Sequence, residues 1–155
     1  MTGAIGKLAL LVQRFGHLLV AGYLPRSVSR GLWPLYRLAD LVWVKLLVGA
    51  DLHHSCCIGP GLRLAHGGRG VVLAPGAVIG SGVAVYHQAT VGTTETRPGV
   101  WPLPVPIVGD EARIGTGSRV LGDVHVGARA VIGANAVVLA DVPEGASVPA
   151  AARWR

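Results

Sequence analysis

Two of the six histidines in this chain are made neighbours by a repeat. Aliphatic residues recur six positions apart at Ile58 and Leu64, then at Leu73, Ile79, Val85 and Val91, and most are followed by glycine or another small residue. The spacing breaks once, between Leu64 and Leu73, where three extra residues surround His66. His66 follows the corner residue Leu64 by two positions, and His87 follows Val85 by two, so three hexads separate them. If three hexads make one coil, the two imidazoles occupy the same corner of consecutive coils, about one strand spacing or ~4.8 Å apart. A pair so placed suits proton transfer, with one ring as general base and the other orienting substrate or tuning its neighbour.

The remaining reactive side chains offer less. Cys56 and Cys57 are adjacent, a poor arrangement for a disulfide, and read as free thiols in a reducing compartment. As acyl-carrying nucleophiles they lack a base at a suitable spacing. His53 and His54 open the first coil and read as structural; His125 faces outward; His17 lies among apolar residues of a helix.

The elements that must hold the histidine pair follow from the periodicity. A second hexad run continues at Val108, Ile114, Val120, Val126, Ile132 and Val138, with small or β-branched residues four places after most corners. Short strands at this spacing stack into a mainly β, triangular parallel solenoid of about four coils over residues 51–155, each coil burying the aliphatic row of the one below. Thr93 to Pro106 carries four prolines and cannot donate a regular ladder, so an extruded loop is expected at residues 93–107. Its tryptophan, Trp101, suits a lid over a ligand or an anchor for a neighbouring subunit.

Residues 1–50 form a separate segment. Apolar positions at three-to-four spacing predict two helices, over 7 to about 24 and about 31 to 49, with Pro34 in the first turn of the second and Gly49 as its cap. Both helices are apolar on more than one face. That favours burial against another chain over contact with a membrane surface. The run Leu41 to Val48 carries Lys45 and is far below the ~20 residues that span a bilayer. Lys7 precedes an apolar run that Gln13 and Arg14 cut short without a cleavage pattern, so a cytoplasmic protein is expected.

Composition agrees with a tightly turning scaffold. Glycine is abundant at 23 of 155 residues while aromatics make up 5%, which argues against an ordinary sandwich or bundle, and 51% hydrophobic residues exclude disorder. The net charge of +6 suits a polyanionic partner: nucleic acid, an anionic membrane surface or a phosphate-bearing cofactor.

Several motifs carry a resemblance. Ala50-Asp51-Leu52-His53, Leu64-Ala65-His66-Gly67-Gly68, Ala89-Thr90-Val91-Gly92, Val120-Leu121-Gly122-Asp123-Val124 and Ile132-Gly133-Ala134-Asn135-Ala136 resemble serine acetyltransferases and their relatives among the hexapeptide-repeat acyltransferases. The likeness runs from about Ala50 to the C-terminus. It implies a left-handed parallel β-helix, acetyl-CoA as acyl donor, no metal, no nucleic acid, and a homotrimer with active sites between subunits. It further implies His66 as catalytic base with Asp51 as its partner, and His87 beside the substrate. Gly92, Thr93, Gly117, Ser118 and Ala136 would then meet the pantetheine arm, and Arg119, Arg129 and Arg153 would be candidates for the phosphates.

The chain departs from that family pattern around the acceptor. Ala65 stands where the family has an aspartate that contacts the amino-acid substrate, and Pro104 and Val105 replace its Arg-His pair. Arg97 or Glu95 in the long loop would have to compensate, so a sugar or another hydroxyl metabolite competes with serine as acceptor. Two readings of other classes are a non-catalytic β-helix scaffold and a metal-dependent protein of the carbonic anhydrase type. The latter needs a third histidine in register with His66 and His87, and none stands there.

Overall fold

The computed structural model describes residues 3–94 and 104–155. From Asp51 onward the described residues form two- and three-residue strands that pair only in parallel, sorted into sheets of six, four and five strands. Until the last coil every third strand in sequence joins the same sheet, so the backbone winds as a triangular parallel β-helix. The reason is local. Each hexad places one aliphatic residue inward, and three positions later the chain turns through a left-handed residue, for example Gly61, Gly82, Glu111, Gly117, Arg129 and Asn135. Glycine meets that requirement without strain, and asparagine is the side chain next best suited to it.

The inward column is continuous. Leu52, Leu64, Leu73, Ile79, Val85, Val91, Val108, Ile114, Val120, Val126, Ile132 and Val138 are all buried, and so are the small residues Ala77, Ala89, Ala112, Ala130 and Ala136. Each large side chain contributes ~1.5–3 kcal/mol by leaving water, and the small ones keep the corners narrow.

The structure corrects the coil count. The six-stranded sheet runs to Arg153–Trp154, beyond the last hexad at Val138, and gives about five coils rather than four. The final coil is built from Val142, Val148 and Trp154, with Val142 bridging to Val126. It escapes the hexad pattern because the step from Val138 to Val142 is four positions rather than six, and Pro143 follows.

The N-terminal segment contains α1 (Ala4–Val20) and α2 (Arg26–Ala39), and α2 runs without interruption into a π-helix (Asp40–Val48). Helix boundaries thus fall several residues earlier than the periodicity predicts. Pro34 consequently sits inside α2 rather than in its first turn, where it has no N–H to give the Arg30 carbonyl. Gly49 ends the helix in the left-handed region (φ 68), as expected of a glycine cap.

The inner face of α1 clamps the helices to the first coil. Gln13 is buried and its Nε2 donates to the Cys56 carbonyl at 3.2 Å. His17 Nδ1 donates to the His54 carbonyl at 3.0 Å. Gly16 leaves room for the Tyr36 ring, which a Cβ at that position would meet at 2.4 Å. No helix among the described residues is long and apolar enough to cross a membrane.

Candidate active site

The register that stacks the coils also brings His66 and His87 together. Leu64 pairs with Val85 and Val85 with Ile114, so the residues two positions further on, His66, His87 and Thr116, form one column at a single corner. The His66 and His87 ring centroids lie 4.8 Å apart with their planes at 85°, an edge-to-face contact. Thr116 Oγ1 stands 3.4 Å from His87 Nδ1, and the Gly117 N–H donates to the His87 carbonyl at 3.1 Å. Thr116 was legible by the same count of two from Ile114.

His66 itself is held in an unusual backbone conformation. The interruption forms a tight turn, Ala65–Gly68, in which both His66 (φ 54) and Gly67 (φ 76) are left-handed. A non-glycine residue in that region is uncommon and costs free energy, so the insertion lifts this side chain out of the coil at some expense. His66 is exposed there and borders a cavity of about 760 Å³.

The cavity's other walls come from three parts of the chain. Ala65, Gly67, Arg69 and Tyr86 line it from the coil, Gly3, Ala4 and Ile5 from the start of α1, and Leu47 and Val48 from the π-helix. Sequence reasoning missed Arg69, Tyr86 and the helical wall, because only the folded path of residues 3–48 brings them to the histidine.

The other predicted positions distribute as follows. Asp51 lies exposed at the start of the first strand, where its Oδ1 is 3.8 Å from Lys45 Nζ; it does not line the cavity. Ser118 is fully buried, and its hydroxyl donates to the Gly115 carbonyl at 2.7 Å, while Ala136 packs inside the coil. These two present backbone rather than side chain outward. Gly92 closes the Thr90–Gly92 strand, followed by Thr93, and Gly117 turns the corner below His87. Arg119 Nη1 donates to the carbonyls of Gln88 and Gly117, both at 3.0 Å, and Arg129 is paired with Glu144. Arg153 is exposed on the last strand, beside Val137. Arg97, Trp101 and Glu95 lie outside the described residues.

Three further reactive groups, Cys56, His53 and His54, are structural. Cys56 is fully buried and its thiol is pushed up to about 12 by burial, so it is neither exposed nor ionised enough to attack a thioester. His53 Nδ1 accepts the Ser55 N–H at 3.2 Å, and His54 packs edge-on against Trp33 at 5.1 Å. Burial lowers both histidines from the ordinary 6.5, and for His54 the neighbouring His53 adds to it.

This arrangement has a consequence for pH dependence. The folded molecule keeps both rings neutral where the unfolded chain already takes up protons. Their contribution is complete above about pH 6.5 and is lost as pH falls through the lowered folded values. Asp40, raised by burial, works the opposite way in the lower carboxylate range. Between about pH 7 and about pH 5 the melting temperature is therefore expected to fall. Replacing His53 and His54 with glutamine should flatten that slope whatever it does to the absolute value; an unchanged slope in calorimetry would count against the assignment.

Known proteins share this architecture and its repeat. Residues 106–140 match the family model described as bacterial transferase hexapeptide (six repeats). The chain is 36% identical over 120 residues to serine acetyltransferase 4 of Arabidopsis thaliana, covering 75% of this chain and 32% of that relative. It superposes on soybean serine acetyltransferase complexed with serine with a TM-score of 0.78 and 34% identity, over 95% of this chain and 55% of that one. The chain carries a hexapeptide repeat and is similar to serine acetyltransferases in sequence and in fold. A serine acetyltransferase in complex with CoA also matches this chain, with a TM-score of 0.70 and 28% identity over 95% of this chain and 55% of that one. The chain spans about a quarter to a half of the length of the curated relatives it matches.

Proposed function

We propose that this chain is an acetyl-CoA-dependent O-acetyltransferase, and that His66 is its general base. The observation that carries the reading is the His66–His87 pair, 4.8 Å apart, at the edge of a cavity large enough for a small hydroxyl acceptor. Sequence likeness to serine acetyltransferases and structural likeness to one in complex with CoA support the acyl donor. Among the described residues no cluster of histidine, cysteine or acidic side chains suits a metal ion, so the carbonic anhydrase alternative gains nothing from the geometry.

In the proposed reaction His66 takes the proton from an acceptor hydroxyl as its oxygen attacks the thioester carbonyl of acetyl-CoA. The tetrahedral intermediate expels the thiolate of coenzyme A, which leaves with the proton returned by His66. The products are an acetyl ester and free coenzyme A, and no covalent enzyme intermediate is formed. His87, steadied by Thr116, orients the acceptor. Asp51 serves as partner to His66 when its carboxylate turns from Lys45; an exposed ion pair is worth only ~0–1 kcal/mol and gives way readily.

The hexapeptide repeat and these structural relatives support a left-handed coil. A single solenoid face is an open wall, so a groove for coenzyme A needs a second wall from a neighbouring copy, which supports a trimer. Backbone along Gly92, Thr93, Gly117, Ser118 and Ala136 would line that groove, with Arg153 toward the phosphates. A reducing, cytoplasmic setting suits the two free thiols.

Serine is one acceptor and not the only one the site fits. Ala65 leaves no carboxylate beside His66 for an amino group, while Arg69 and Tyr86 give the cavity a cation and an aromatic ring. A panel of hydroxyl compounds including serine, sugars and hydroxy acids should be incubated with acetyl-CoA while free thiol is followed. Acceptor-dependent thiol release is expected for at least one class. Release that no acceptor stimulates would leave the scaffold reading standing.

A further inference from the structure

The charge of this protein is concentrated in its helices. Residues 1–50 hold six lysines and arginines against one acidic residue, Asp40, which assigns +5 of the total +6 to a third of the chain. The exposed apolar residues are concentrated in the same place. Of the exposed large hydrophobic side chains, most belong to α1, α2, the π-helix or the turn between the helices, including Leu11 (62%), Leu35 (60%), Leu46 (69%) and Trp43 (45%). The β-helix, by contrast, is nearly neutral and keeps its large apolar residues inside.

The two kinds of residue are interleaved on one surface. Lys7, Leu11, Arg14 and Leu18 are all exposed and follow one another at intervals of four, three and four, which places them in a single stripe along α1. The opposite side of the same helix carries the buried Ala9, Val12 and Gly16. Lys7, Leu11 and Arg14 also border a shallow groove of about 330 Å³ against Gly61 and Leu62 of the first coil.

A second copy related by a twofold axis is a poor occupant of that surface. Twofold pairing presents the same patch from both sides and would set +5 against +5. An acidic lipid surface complements both features at once, since it neutralises basic side chains at headgroup level and takes up leucine and tryptophan just beneath. We infer that the N-terminal helices dock this protein onto the surface of a bilayer containing anionic lipid, lying along it without crossing it. The inference stands independently of the acetyl-transfer reading.

Co-sedimentation of the full chain with vesicles tests it. Vesicles of phosphatidylcholine with about one-third phosphatidylglycerol are expected to carry the protein down, and phosphatidylcholine alone to leave most of it in solution. Binding should weaken as salt is raised, because exposed charges are screened over ~8 Å at physiological ionic strength. The pair Lys7→Glu and Arg14→Glu, and separately Leu11→Asp with Leu18→Asp, should each reduce binding at least tenfold. Thermal melting and light-scattering mass of each variant show whether the fold and assembly persist. Absence of binding to the anionic vesicles, or binding that neither variant pair reduces while the fold persists, would overturn the inference. So would loss of assembly by these variants without any vesicle binding, which would assign the face to a second copy.

Discussion

Replacing His66 with asparagine is expected to lower acceptor-dependent thiol release from acetyl-CoA by ~10²–10⁴-fold, the range a positioned general base contributes. Asparagine is chosen for a backbone reason. His66 sits at φ 54, where alanine would be strained, whereas asparagine visits that region with far less penalty and so removes the base while keeping the turn. The loss should appear in kcat more than in KM, because the imidazole acts on the proton that moves in the transition state. The variant should melt within a degree or two of the parent and bind coenzyme A as before. His87→Ala, which leaves the base in place, should be milder and should raise the acceptor KM. Full turnover by His66→Asn would remove the histidine from the mechanism.

A second large effect is expected far from the site, at Gly133. An added Cβ there would lie 2.4 Å from the Ala150 nitrogen and 2.7 Å from the Ala150 Cα and the Pro149 carbonyl carbon. Every atom it meets is backbone of the next coil, so no side chain can swing away. Gly133→Val is expected to cost ~3 kcal/mol or more, the upper end of overpacking effects, because adjacent coils must separate. Gly31 supplies the contrast. It sits in α2 with nothing within 4 Å of a built Cβ, so Gly31→Ala should stabilise by ~0.5–1 kcal/mol through helix propensity alone. Urea denaturation of the two variants checks both signs; a Gly133→Val protein as stable as the parent would show that the coils are not packed this closely.

The β-helix was readable in the sequence because its code is local. One inward aliphatic residue per six positions fixes strand, turn and stacking together, and the same count placed His87 above His66 without any knowledge of the loops between. Where the count changed, the reading failed. The step of four from Val138 to Val142 hid the final coil with Val148 and Trp154. The helices were legible as elements, but their ends were not. Pro34 reads as a first-turn residue, whereas α2 begins at Arg26 and carries the proline inside, continuing through Ala39 into the π-helix.

The site was legible only in part, for the same physical reason. His66 announces itself through the three-residue interruption and Thr116 through the hexad count. Arg69 and Tyr86 become cavity walls only when the first residues of α1 and the last turn of the π-helix fold against the corner. Such contacts between distant parts of the chain leave no periodic trace. The position of Asp51 beside Lys45 is of the same kind, since it depends on where the π-helix ends relative to the first strand.

The claim that this chain moves an acetyl group directly from acetyl-CoA to a hydroxyl is tested most directly by product analysis. The protein would be incubated with acetyl-CoA and an acceptor that stimulates thiol release, and acceptor, coenzyme A and protein examined by mass spectrometry. Direct transfer predicts one acetyl group on the acceptor oxygen for each coenzyme A released, an unmodified protein throughout, and neither product with His66→Asn. Coenzyme A released without acetylated acceptor, or an acetyl group retained on the protein as an intermediate, would contradict it.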